Sequence, residues 1–152
     1  PGRPRPIVAR RVLPRWVYTH LSQEAHTLIQ QAELIAAVGV YRSLPGLLEG
    51  EATIHFIDNT GALSNLIHGY ASRPDCGRLV NTFHLSLAAL RCRTWLEWVP
   101  SKANISDLPS RDDDEALLAA LEAAGFDGFD EVEFNLPPMA TWPAPLAAFS
   151  AL

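Results

Sequence analysis

Three carboxylates in this chain sit where a purely structural role is hard to supply. Glu33 interrupts a run that is otherwise apolar from Ala32 to Val40, and its three- and four-residue neighbours are Ile29, Ala36, Ala37 and Val40. Asp58 ends the apolar run Thr53-Ile54-His55-Phe56-Ile57, and Asp107 lies in the segment from Pro100 to Arg111 that follows the last apolar run. Carboxylates drawn together without compensation raise one another's pKa. A hard divalent cation resolves that conflict: magnesium takes a few carboxylate oxygens, keeps several waters and accepts phosphate oxygens. Two such ions about 3.5 to 4 Å apart can activate water and stabilise a leaving oxygen. Each acid also has a plainer reading. Glu33 could be a solvent-facing or salt-bridged helix residue, and Asp58 and Asp107 could be turn or capping residues.

The segments that must position these acids alternate in type, as in an α/β domain. A helix-favouring stretch runs from Ala25 to Leu44, with Pro45-Gly46 marking its end. Thr53 to Ile57 reads as a compact strand delivering Asp58 at its carboxyl end. Asn59 or Thr60 can cap a short helix bearing Leu63, Leu66 and Ile67, stopped by Gly69. A third helix from Asp75 to Arg91 aligns Leu79, Phe83, Leu87 and Leu90, and Thr94 to Val99 reads as a strand closed by Pro100. Carboxyl ends of strands in open α/β sheets are where ligands gather. Near the amino end, Trp16 to Leu21 has enough β-branched and aromatic residues for a short strand. Asp112-Asp113-Asp114-Glu115 suits the positive end of a helix reaching Ala124, with Gly125 as its stop.

At 152 residues, 48% hydrophobic and 19% charged, the chain supports one real core and excludes wholesale disorder. The formal charge of −5 excludes a molecule that attracts nucleic acid as a whole, so such a partner must be held locally. Its distribution is uneven: residues 1–20 carry five arginines and no acid, whereas residues 112–152 carry nine acids and no base. Cys76 and Cys92 are too few for a disulfide scaffold or a four-cysteine zinc site, and no apolar run is long enough for a membrane span. The expected setting is an intracellular, reducing compartment, cytoplasmic or nuclear. The opening Pro-Gly-Arg-Pro-Arg-Pro has neither an initiator Met nor the apolar core of a signal peptide, and is read as the start of a fragment or processed product.

The ordered set Gln31-Ala32-Glu33-Leu34, Phe56-Ile57-Asp58-Asn59 followed by Ala62, and Trp98-Val99-Pro100-Ser101 with Asn104, Asp107, Ser110 and Arg111 resembles the ribonuclease H domain of retroelement reverse transcriptases. Its most specific part is the W-V-P-S-x-x-N-x-x-D-x-x-S-R pattern spanning Trp98 to Arg111. The resemblance covers roughly residues 7–111. It implies a mixed central sheet flanked by helices, with Glu33, Asp58 and Asp107 as catalytic metal ligands, and cleavage of the RNA strand of RNA–DNA hybrids with two magnesium ions. One departure matters. The family's first metal-binding aspartate lies on the first strand, and residues 1–32 contain no aspartate. The expectation is therefore a ribonuclease H-like domain over residues 1–111 that lacks its first strand and is inactive as this fragment, the two magnesium ions belonging to the intact domain, followed over residues 112–152 by an acidic helix and a Pro/Ala-rich apolar tail.

Contacts to phosphates would fall to Asn59, Thr60, Arg73, Arg78, Lys102 and Arg111, with Arg91 and Arg93 as further candidates, although a solvated surface is the plain reading of each arginine. His55 and His84 read as packing or surface residues. Trp95 and Trp98 point to opposite faces of a regular strand, one of them into the core. The tail, with Met139, Trp142, Leu146, Phe149 and Leu152, could cover a sheet edge or dock a protein partner. Beside the nuclease stands a second function, a repurposed non-catalytic remnant acting as a structural or protein-interaction subunit. A third, an integrase or exonuclease on the same fold, is disfavoured because an integrase would carry its glutamate on a late helix.

Overall fold

The computed structural model describes residues 4–21 and 28–136. Its architecture is mixed α/β: β1 (Ile7–Arg10), α1 (Arg15–His20), α2 (Ile29–Ser43), α3 (Pro45–Leu48), β2 (Ala52–Ile57), α4 (Thr60–His68), α5 (Pro74–Leu90), β3 (Arg93–Trp98), α6 (Asp107–Ser110), α7 (Asp114–Ala123) and β4 (Asp130–Glu133). A single-turn 3-10 helix, Ser101–Ala103, lies between β3 and α6.

The strands form two separate two-stranded sheets, both parallel, where one mixed central sheet was expected. In the first, β2 and β3 pair from Ala52↔Arg93 to Ile57↔Trp98. The crossover between them carries α4 and α5, the length a parallel connection requires. The second sheet joins the two ends of the described chain, β1 with β4, from Ile7↔Asp130 to Arg10↔Glu133. The first sheet is built from sequence neighbours in the α/β pattern, which made it readable. The second depends on a pairing across the whole chain, which no local pattern announces.

The core lies between α2, α5 and the inner face of the β2–β3 sheet. Leu34, Ile35 and Val38 from α2 and Leu79, Val80 and Phe83 from α5 are fully buried, joined by Val17, Leu66 and Ile57. Helix α2 is apolar on most of its circumference, as a helix buried between layers must be. Gly39 is one of its buried positions because the Phe134 ring rests on it; a Cβ there would lie 1.8 Å from the ring. Helix α4 starts and stops as expected: Asn59 Oδ1 accepts from the Ala62 amide at 2.8 Å, and Gly69 closes it in the left-handed region at φ 67°.

Trp16 to Leu21 departs from the strand expectation. Pro14 precedes a helical turn there, its carbonyl accepting from the Val17 amide, and the four-residue spacing of Val17 and Leu21 buries both side chains on one helical face. The acidic helix does form as α7, with Asp113 Oδ1 accepting from the Ala116 amide and Gly125 at φ 84° after it. It is tied to the rest of the molecule. Arg10 donates to both Asp114 oxygens (2.6 and 3.1 Å) and to both Glu131 oxygens (3.1 Å each). The Asn135 amide donates to Ser43 Oγ, and Phe134 is buried in the common core. The Pro/Ala-rich tail, residues 137–152, lies outside the described residues, as do residues 22–27, where the amino end of the first helix was expected.

Candidate functional site

Because β2 and β3 are parallel neighbours, their carboxyl ends emerge side by side, and the chain leaves β2 at Asp58 and β3 at Val99-Pro100. The Val99 amide extends the pairing by one bond to the Ile57 carbonyl at 3.2 Å. The Trp98 indole Nε1 then donates to the Asp58 backbone carbonyl at 3.2 Å, fastening the two strand ends together. Beyond Pro100 a compact turn returns the chain. Asn104 Oδ1 accepts from the Ser106 amide and hydroxyl (3.2 and 2.7 Å), and the Asn104 carbonyl accepts from the Asp107 amide at 3.1 Å. This Asx-type turn launches α6 with Asp107 as its first residue.

Glu33 stands in the second turn of α2, half-buried, and its carboxyl is raised above the ordinary carboxylate range. Removal from water is the main cause, followed by the negative charges of Asp58 and then Asp107. A helix, a strand end and a turn far apart in sequence thus place three acids within electrostatic reach of one another. Among the described residues, no three His, Cys, Asp or Glu side chains are drawn up around a common point as a closed metal-ligand set. Asp107 is instead engaged by Arg111, which donates to its Oδ2 at 3.0 Å one helical turn away. The donor chemistry, a half-buried carboxylate repelled by two others, suits a hard divalent cation; Arg111 occupies Oδ2 of Asp107 and leaves its Oδ1 for an ion.

The candidate phosphate contacts separate by position. Asn59 and Thr60 lie beside Asp58, though Asn59 Oδ1 is committed to the α4 cap and only its amide NH2 is left to turn outward. Lys102 is exposed in the turn after β3, and Arg111 is exposed beside Asp107. Arg73 instead bonds the buried Asp75 at 3.2 Å, and Arg78 is half-buried on α5. Arg91 and Arg93 sit at the opposite, amino end of β3, where Arg91 pairs with Glu49 at 3.2 Å.

Several residues have roles that differ from expectation or were not anticipated. Neither Trp95 nor Trp98 enters the core; they are 67% and 48% exposed. Trp95 belongs to the outer face of the sheet, whereas Trp98 lies at the strand terminus where its indole seals the Asp58 carbonyl. Gln31, fully buried, donates to Asp75 at 3.2 Å, and Asp75 also accepts from the Cys76 amide. A polar residue on the buried face of an apolar helix was the available signal for that cluster. His55, on the inner sheet face, meets Tyr41 Oη at 3.2 Å through Nδ1, and burial lowers its pKa to about 4. His84 is at the surface with Nε2 2.9 Å from the Leu66 carbonyl.

In comparisons with known proteins, no family model matches the chain, and neither a curated protein nor a solved structure matches it.

Proposed function

We propose that this chain is a ribonuclease H-like nuclease domain that binds RNA–DNA hybrids at the carboxyl ends of β2 and β3, with Glu33, Asp58 and Asp107 as its acidic centre. The observation that carries the proposal is the electrostatic coupling of Glu33 to both Asp58 and Asp107, which come from three separate elements. The order Glu on a helix, Asp ending a strand and Asp opening a late helix supports it, as does the Trp98 to Arg111 segment. Magnesium, when bound by these acids, would supply a polarised water and a counter-charge for the leaving oxygen. The chain's own residues would position the substrate. Lys102 and Arg111 offer positive charge at the acidic edge, and the Asn59 amide can donate to a phosphate or a 2′-hydroxyl. Asp58 would be held in place by the Trp98 bond to its carbonyl.

One observation favours a second reading, a non-catalytic remnant that serves as a structural or protein-interaction subunit. Residues 1–32 contain no aspartate, so the acidic centre has three carboxylates where the resemblance implies a further one. Incubation of the chain, and of a version extended at its amino end by its own coding sequence, with a labelled hybrid and magnesium separates the two. Cleavage of the RNA strand by either, abolished by Asp58→Asn, supports the nuclease. No cleavage by either chain supports the remnant.

A further inference from the structure

Alternation along β2 and β3 turns Thr53, His55, Thr94 and Leu96 toward the helices and leaves Ala52, Ile54, Phe56, Arg93, Trp95 and Glu97 on the outer face. That face is open: Ile54 is 63% exposed, Phe56 55% and Trp95 67%. In register it shows three cross-strand pairs, Ala52 with Arg93 at the amino ends, Ile54 with Trp95 in the middle and Phe56 with Glu97 at the carboxyl ends. Its base, Arg93, and its acid, Glu97, therefore stand at opposite ends of an apolar middle. Trp95 is fixed in place, since its indole Nε1 donates to Glu97 Oε2 at 3.1 Å. Arg93 has no carboxylate partner of its own chain among the described residues.

We infer that this face is an interface between two copies of the chain, packed face to face about a two-fold axis that lies across the strands over the Ile54–Trp95 row. Such an axis reverses strand direction between the copies and leaves strand order unchanged, so each β3 lies over its own counterpart. Arg93 of either copy then faces Glu97 of the other, Trp95 meets Trp95, and Ile54 meets Ile54. The small Ala52 lies opposite the large Phe56, which levels the contact. The face is thus complementary to itself in charge and in size, as an isologous interface requires. A nucleic-acid strand, which the two rings could stack, is opposed by Glu97 and by the chain's net charge of −5. A Trp held in place before binding loses little entropy on association, and such rings are the usual anchors of protein interfaces. At their exposures the two rings put roughly 200–300 Å² of each copy into the contact. With Ile54 and the charged ends, the two copies together bury about 1,000 Å², the size of a weak, transient interface. The inference is independent of the nuclease reading, because the acids lie at the strand ends and not on this face.

Sedimentation equilibrium of the full chain, at loadings from about 1 µM to about 1 mM, tests it. The expected result is an average mass that climbs from 16.7 kDa toward twice that value. Arg93→Glu and Glu97→Arg, each alone, set like charges opposite one another twice per dimer. Each variant should stay at the single-chain mass at loadings where the native chain is half dimeric. An equimolar mixture of the two should associate again, because one face is then acidic at both ends and the other basic at both. A native mass that stays at 16.7 kDa throughout would overturn the inference. So would variants that associate as the native chain does, or a mixture that stays monomeric while each variant keeps a native thermal unfolding transition.

Discussion

At Glu33 two effects act in the same direction: the protein shields the carboxylate from water, and Asp58 and Asp107 repel its charge. A folded-state pKa above the unfolded value means that protonation of Glu33 stabilises the fold at pH below the ordinary carboxylate range. That contribution is lost as pH rises through the raised pKa. Glu33→Gln should accordingly raise the thermal midpoint at pH 7 in metal-free buffer, with the gain shrinking as the pH falls toward 4; an equal gain at both pH values would show that repulsion is not its source. His55 titrates in the opposite sense. Its pKa is lowered from 6.5 to about 4 by burial, so the stability it confers as a neutral ring is complete above pH 6.5 and is lost as pH falls from 6.5 through 4. At full extent this is on the order of 3 kcal/mol. A denaturant midpoint that drops across that window in the native chain, and drops less in His55→Phe, is the expected outcome. From the sequence, Asp58 was legible as a strand-end residue and Asp107 as part of the segment after the last strand. The Arg111 bond to Asp107 across one turn of α6 and the Trp98 bond to the Asp58 carbonyl were not, because each depends on side-chain direction.

The elements that announced themselves are those whose signals are local. Asn59 and Gly69 bracket α4, the spacing of Leu79, Phe83, Leu87 and Leu90 marks α5, and the acidic run with Gly125 brackets α7. Helix α1 was misread because Trp16-Val17-Tyr18-Thr19 has strand-like composition, and tertiary burial of Val17 and Leu21 outweighed that propensity. Strands β1 and β4 gave little warning, being four residues each and dependent on one another. Two of the contacts that hold them can be tested singly. Gly39→Ala should force the Phe134 ring out of its seat, at a cost of about 1–3 kcal/mol typical of overpacking. Arg10→Ala, which removes bonds to both Asp114 and Glu131, should increase amide exchange in β1, β4 and α7 while leaving β2 and β3 unchanged. Uniform loss of protection across all four strands would show instead that the two sheets unfold as one unit.

On the scale of the whole molecule, two small parallel sheets share one core, and the proposed acidic site lies at the edge of only one of them. The acids are carried by α2, the end of β2 and the start of α6, all on the β2–β3 side, while β1, α7 and β4, tied to one another by Arg10, pack against that unit through Phe134 and Asn135. This division separates stability from chemistry. Substitutions at Gly39 or Arg10 should change stability without altering ion binding, and Asp58→Asn or Asp107→Asn should weaken ion binding without loss of stability. Charge follows the same division, with the acid-rich residues after Arg111 drawn to arginines of the amino end and Lys102 and Arg111 left at the site edge.

The central claim is that Glu33, Asp58 and Asp107 act as one receptor for divalent ions, and manganese titration followed by paramagnetic broadening of backbone amides measures it most directly. The expected result is saturable broadening centred on residues 33, 58 and 107, competed by magnesium and removed by Asp58→Asn without loss of thermal stability. Broadening centred instead on the acids of residues 112–115, or a titration unaffected by Asp58→Asn, would contradict it.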